Sequence, residues 1–257
     1  MSTRHPLLEG LFASLLAVLL IAPAVALGEE GEPTARELLD AADDLYRGRS
    51  SVGTMQMNIV TDRYKRSLTL REWSEGEEKS LVRIVEPAKE EGVTTLRVED
   101  DLWNYLPKVD RTIKVPASMM SSSWMGSHLT NNDLVRESRF ADDYTYRITE
   151  RPKDNPEGVY VIEATPKPDA PVVWGRVVAR VRPDKIPVDV RFYGEKGELA
   201  RTIEYSDVRE MGGRRIPTRM RVTPADEPGE YTELVVRDIQ FDVPIPDRVF
   251  SLQGLRG

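Results

Sequence analysis

From Met55 onward, apolar and polar residues alternate with a period of two. Met55, Met57 and Ile59 share one side of an extended chain, and Gln56 and Asn58 share the other. The same period runs through residues 65–74, 79–86, 92–99, 102–106 and 111–115. After an interruption it resumes at 144–150, 159–165, 175–182, 187–193, 199–208, 214–223 and 230–241. Val188, Val190 and Phe192 alternate with Asp189, Arg191 and Tyr193, so the sheet these strands build has a dry face and a wet one. Glu195-Lys196-Gly197-Glu198 and Met211-Gly212-Gly213-Arg214 read as hairpin turns. Strands joined by such tight turns are antiparallel neighbours, and a meander this long twists and curls.

A single helical pattern precedes the strands. Thr34-Ala35-Arg36-Glu37 has the form of a capping box. Leu38, Leu39, Ala41, Ala42, Leu45 and Tyr46 then recur at helical spacing as far as Gly48. One apolar stripe predicts a helix laid on something larger. The expected fold is mainly β (α+β): an incomplete antiparallel barrel of about 11 strands, closed by one to three helices around a lined interior.

The interruption between the two strand series is itself unusual. Met119, Met120, Trp124 and Met125 stand where a connection is normally polar. Such a loop covers something apolar, either the protein's own core or a greasy ligand. Trp73, Trp103, Tyr105 and Trp174 are further large side chains suited to a cavity wall, and Met adapts to guests of variable shape. If the loop is a lid over a cavity, Trp124→Asp should weaken ligand binding and leave far-UV circular dichroism unchanged. Loss of the fold would instead mark Trp124 as core.

Composition narrows the classes. Arg4 and His5, an apolar run over 11–25 and the small-x-small triplet Ala24-Val25-Ala26 predict a signal peptide over 1–26, with residues 27–257 as one domain. The apolar run is short for a membrane-spanning helix. No cysteine is present, so neither a disulfide nor a lipidated N-terminal Cys is expected. The 36 Lys and Arg against 43 Asp and Glu give a net charge of −7, which argues against nucleic acid as a partner. His128 with a nearby serine and Asp133 is the one candidate hydrolase triad, but no nucleophile elbow accompanies it. Asp142-Asp143 and Glu99-Asp100-Asp101 lack calcium-loop spacing, and no phosphate loop is present. The reading is a protein that is not an enzyme and carries no metal or cofactor.

Leu102-Trp103-Asn104-Tyr105-Leu106-Pro107, Arg111, Ser122-Ser123-Trp124-Met125-Gly126-Ser127 and residues 130–134 resemble the outer-membrane lipoprotein-sorting proteins, the LolA-like carriers of Gram-negative periplasms. The family pattern has W-x-Y-L-P, a basic segment and S-F-M-G-S-D-F-T-Y-E-D-L. Here Trp124 replaces the first Phe, His128 the Asp and Leu129 the second Phe, while Asp133-Leu134 keeps the ending. Ile245-Pro246-Asp247-Arg248-Val249-Phe250 resembles the family's C-terminal run. The resemblance implies a half-barrel with an acyl-chain cavity and a carrier of lipid or acylated lipoprotein. It also implies an inner-membrane transporter as donor and an outer-membrane acceptor. Trp73, Trp103, Tyr105, Met119, Met120, Trp124, Met125 and Leu129 are the expected cavity and lid residues. The alternative is a periplasmic adaptor of an inner-membrane exporter that holds no lipid.

Overall fold

The computed structural model describes residues 31–136, 143–168, 170 and 172–257. The expected leader, 1–26, lies outside the described residues. Helix α1 (Ala35–Arg47) is the first element of the described residues. Thr34 caps it reciprocally with Glu37, and Gly48 closes it in a positive-φ conformation, as the sequence pattern predicts. Six strands follow: β1 (Ser50–Val60), β2 (Lys65–Glu75), β3 (Lys79–Glu86), β4 (Thr94–Val98), β5 (Asp101–Leu106) and β6 (Arg111–Lys114). The loop 115–130 and the short helix α2 (Asn131–Arg136) separate these from β7 (Tyr144–Glu150), β8 (Tyr160–Pro166) and β9 (Arg176–Val181). Next come β10 (Pro187–Tyr193), β11 (Leu199–Met211), β12 (Arg214–Pro224) and β13 (Tyr231–Phe241).

All thirteen strands join one antiparallel sheet in the order β6-β5-β4-β3-β2-β1-β13-β12-β11-β10-β9-β8-β7. Each of the thirteen alternating segments in the sequence becomes a strand among the described residues, so the open sheet is two strands wider than the incomplete barrel of about 11 that was expected. The sheet does not close: β6 and β7, consecutive in sequence, are its opposite edges.

Helix α1 packs against β7, β9, β12 and β1, and the Tyr46 hydroxyl donates to the Pro217 carbonyl at 2.8 Å. In a flat sheet the seven steps from β7 to β1 would span about 34 Å, whereas a 13-residue helix is about 20 Å long. The sheet therefore bends around the helix. This makes the face beneath α1 the inner face of an incomplete barrel.

Register assigns every strand residue to a face, because directly opposed residues point the same way. Leu234, Met57 and Leu68 lie in one row, and Met220 joins it from β12. This inner row belongs to a core of Met57, Ile59, Leu68, Leu70, Val82, Ile84, Ile203 and Val222, all buried. Leu38 of α1 covers the same face further along, over Ile162, Ala179 and Val181. The opposite face carries a second core. There Leu81 and Leu96 are covered by Ile245, Phe250 and Leu255 of the C-terminal segment.

Candidate functional site

The loop 115–130 is built to hold an apolar tip against the inner face. The Ser123–Thr130 bridge and the bond from the Trp124 N–H to the Leu129 carbonyl, 2.7 Å, make residues 123–130 a small hairpin of their own. Met125 and Gly126 turn it with φ of 53° and 71°, in the left-handed region. A Cβ on Gly126 would lie 2.9 Å from the Tyr64 hydroxyl, so besides straining the positive φ a larger residue would push that hydroxyl off its bond to the Gly126 carbonyl. Trp124 emerges from this hairpin 3% exposed, and Leu129 7%. Both join the inner core with Met57, Leu70 and Ile84, and Met125 packs beside them. The Trp124 indole N–H donates to Thr95 Oγ1 at 3.1 Å, so its one polar atom is satisfied in the core.

Polar fasteners hold the hairpin at both rims. On one side the Tyr64 hydroxyl donates to the Gly126 carbonyl at 2.6 Å, and Arg66 donates to the Met125 carbonyl at 2.6 Å. Arg66 also pairs with Glu90. On the other side His128 contacts Thr232 Oγ1 through Nδ1 at 2.8 Å and Glu230 through Nε2 at 3.3 Å. Arg201 of β11 then grips Asp133 through two nitrogens, at 2.7 and 2.6 Å. Its guanidinium stacks 4.4 Å from the Phe192 ring and 5.0 Å from the Trp174 ring. Asp133 also accepts from the Thr130 N–H and hydroxyl, so one carboxylate caps α2 and anchors the loop.

The proposed triad partners are thus engaged elsewhere: Asp133 with Arg201 and Thr130, His128 with Thr232 and Glu230. Among the described residues, His128, Glu227 and Glu230 form the one group with metal-ligand spacing, their ligand atoms lying within 4.8 Å of one another. The two glutamates sit about a hundred positions from His128 in sequence, and no short-range motif signals the grouping.

The eight expected site residues do not converge. Trp124, Met125 and Leu129 meet on the inner face. Trp73, Trp103 and Tyr105 stand on the outer face, packed against the C-terminal segment. Register decides this: Trp73 opposes Leu81, Leu81 opposes Leu96 and Leu96 opposes Trp103, whereas inner-face Leu70 opposes Ile84. Met119 ends a turn of 3-10 helix and is 51% exposed, while Met120 is half-buried beside α2. The loop covers the protein's own core in this conformation.

Two carboxylates near the start of β13, Glu233 and Glu230, are held below the ordinary glutamate value. Burial pushes Glu233 up, but Arg221 and Arg219 outweigh it and hold the carboxyl below the ordinary glutamate value. The Asp62 N–H, assisted by His128, holds Glu230 low as well. A depressed folded-state value stabilises the fold above the unfolded value, about pH 4.3 for glutamate, and the gain is lost as pH falls through the folded one. The urea midpoint is expected to fall as pH drops from 5 to 3. Glu233→Gln should flatten part of that fall; an unchanged acid slope would show that this carboxylate is not linked to folding.

Comparison with known proteins fits this geometry. No curated protein matches the chain. A family model described as a -like uncharacterized protein matches residues 76–257. A LolA superfamily protein from Nitrosomonas europaea superposes with a TM-score of 0.70 at 26% identity, covering 85% of this chain and 98% of that one. The chain belongs to the LolA-like family. The LolA-like half-barrel recurs in a DUF1329 family protein from Desulfovibrio piger, with a TM-score of 0.75 at 24% identity, over 85% of this chain and 96% of that one. It recurs again in an outer membrane lipoprotein-sorting protein domain from Vibrio parahaemolyticus, with a TM-score of 0.73 at 22% identity, over 86% and 97%. In this LolA-like chain, the loop carrying S-W-M-G-S is the element that seals the inner face.

Proposed function

We propose that this LolA-like protein is a periplasmic, non-enzymatic carrier that shelters acyl chains of lipid or acylated lipoprotein on the inner face of its sheet. It would accept them from an inner-membrane transporter and pass them to an outer-membrane acceptor. In this reading residues 1–26 are a cleaved signal peptide and residues 27–257 act as one domain, free of attached lipid. The observation that carries the reading is the placement of Trp124 and Leu129. They form a separate apolar plug, seated on the dry face of the sheet and held at its rims by side-chain fasteners.

The plug occupies the space an acyl chain would take, so binding is an exchange. A buried Trp side chain removes about 200 Å² from water and a Leu adds about 2–3 kcal/mol, so unseating the pair costs about 7–8 kcal/mol. A sixteen-carbon chain gains about 12 kcal/mol on leaving water. The guest wins by only a few kcal/mol, which suits a carrier that must release its cargo. Met55, Met125 and Met220 beside the plug supply soft walls.

The test is a fluorescent fatty-acid probe added to the mature protein and chased with phospholipid or acylated peptide. Saturable binding and displacement are expected; folded protein that takes up no probe would refute the carrier. A second reading, an adaptor docking on an exporter, is favoured by Leu106, Val109, Ile113 and Met119, which stand 37–60% exposed around the β5–β6 hairpin and the loop that leaves it. Native mass spectrometry of protein isolated from its own periplasm separates the two, because an adaptor carries no lipid.

A further inference from the structure

We propose that the outer face of the sheet holds a second binding site, centred on Arg71, Trp73 and Arg83, for a phosphate-headed amphiphile. It is independent of the inner-face reading and lies on the other side of the sheet. Arg71 of β2 and Arg83 of β3 are directly opposed in the ladder. Like charges placed so repel each other unless something negative lies between them. Among the described residues, no carboxylate pairs with either guanidinium.

That absence stands against the habit of this sheet. Arg147 and Arg176 share Glu163, Arg219 and Arg221 share Glu233, and Arg180 takes Asp189. The chain has 43 acidic residues for 36 basic ones, so partners are not scarce. Arg83 gives its hydrogen bonds to neutral acceptors, Thr94 Oγ1 at 3.1 Å and the Gly254 carbonyl at 2.6 Å. Burial pulls its guanidinium below the ordinary arginine value with no charge to restore it, while Asp189 and Glu233 hold Arg180 and Arg219 above.

The indole of Trp73 lies beside both cations, its ring centre 5.3 Å from the Arg71 guanidinium and 5.8 Å from that of Arg83. A recess of about 410 Å³ opens on the Arg71 side, walled by Val52, Trp73 and Val243. A second, of about 340 Å³, opens on the Arg83 side, walled by Trp73, Leu81 and Val249. Guanidinium groups match phosphate oxygens in geometry as well as in charge. The apolar wall of the second recess, formed by Trp73, Leu81 and Val249, suits the first carbons of a tail. Asp238 also lines the first recess without pairing with Arg71, so an anionic head is favoured on the guanidinium side, away from that carboxylate.

The experiment titrates the mature protein with octyl phosphate, octyl glucoside and inorganic phosphate by calorimetry. Octyl phosphate should bind at least about tenfold more tightly than either of the others, since each supplies only half of the recognition. Arg71→Gln and Arg83→Gln should each weaken it about tenfold, and Arg71→Gln, at an exposed position, should leave Tm unchanged. Equal affinity for octyl glucoside, or an unaltered affinity in Arg71→Gln, overturns the proposal. Inorganic phosphate binding as tightly as octyl phosphate overturns the amphiphile in favour of a free-phosphate site. Fatty-acid probe uptake on the inner face should be the same in Arg71→Gln and the parent protein, so failure of one site is visible apart from failure of the other.

Discussion

Asp133→Ala is expected to destabilise the protein by about 3–5 kcal/mol, because it strands a buried guanidinium. Arg201 is 6% exposed, and its Nε already lacks a hydrogen-bond partner. The stacked rings of Phe192 and Trp174 shut water away from it. Asp133 is its ion-pair partner and also holds the Thr130 N–H and hydroxyl. Removing the carboxylate therefore leaves a charge unmatched and frees the first turn of α2 together. Urea denaturation should show the loss at pH 7. The double variant Asp133→Ala with Arg201→Met should recover much of it, since no unpaired charge then remains. If the double variant is no more stable than the single one, the pair matters for geometry and not for compensated charge.

Trp124→Ala should cost about 3–5 kcal/mol as well, through the cavity it leaves among Met57, Leu70 and Ile84. Its effect on ligand uptake should have the opposite sign. With the plug truncated, a fatty-acid probe no longer has to displace the indole, so its affinity should rise as stability falls. A protein in which stability and probe affinity fall together would make Trp124 a wall of the site rather than its occupant. Trp124→Asp is a poorer test than the sequence suggested. At 3% exposure the new carboxylate would be buried without a partner, and unfolding would mask any change in binding.

The sheet was legible because its alternation is strict. Val188, Val190 and Phe192 against Asp189, Arg191 and Tyr193 have no other economical reading, and the capping box at Thr34 fixes where the helix begins. The loop was legible as an anomaly, since Met and Trp in a connection demand a cover. What stayed hidden was the side of the sheet on which each aromatic lies. Period two says that Trp73 and Leu70 face opposite ways, but not which of them meets the loop. That depends on the C-terminal segment returning to cover Trp73, Leu81 and Trp103, a contact made across more than 140 residues. Arg201 was hidden for a similar reason: nothing local distinguishes it from the paired arginines of neighbouring strands, and its partner lies 68 positions away.

The first and last strands meet in the middle of the sheet, Ser51 opposite Phe241. Every other adjacent pair is a local hairpin or neighbours its successor, so two half-sheets can form early, one on each side of the missing seam. The seam itself must wait for the whole chain, and such distant pairings are slow to form. A polypeptide made from its N-terminus thus carries a built-in delay. It cannot lock into its finished form until its last strand has been made, and until then its two halves stay free to move apart.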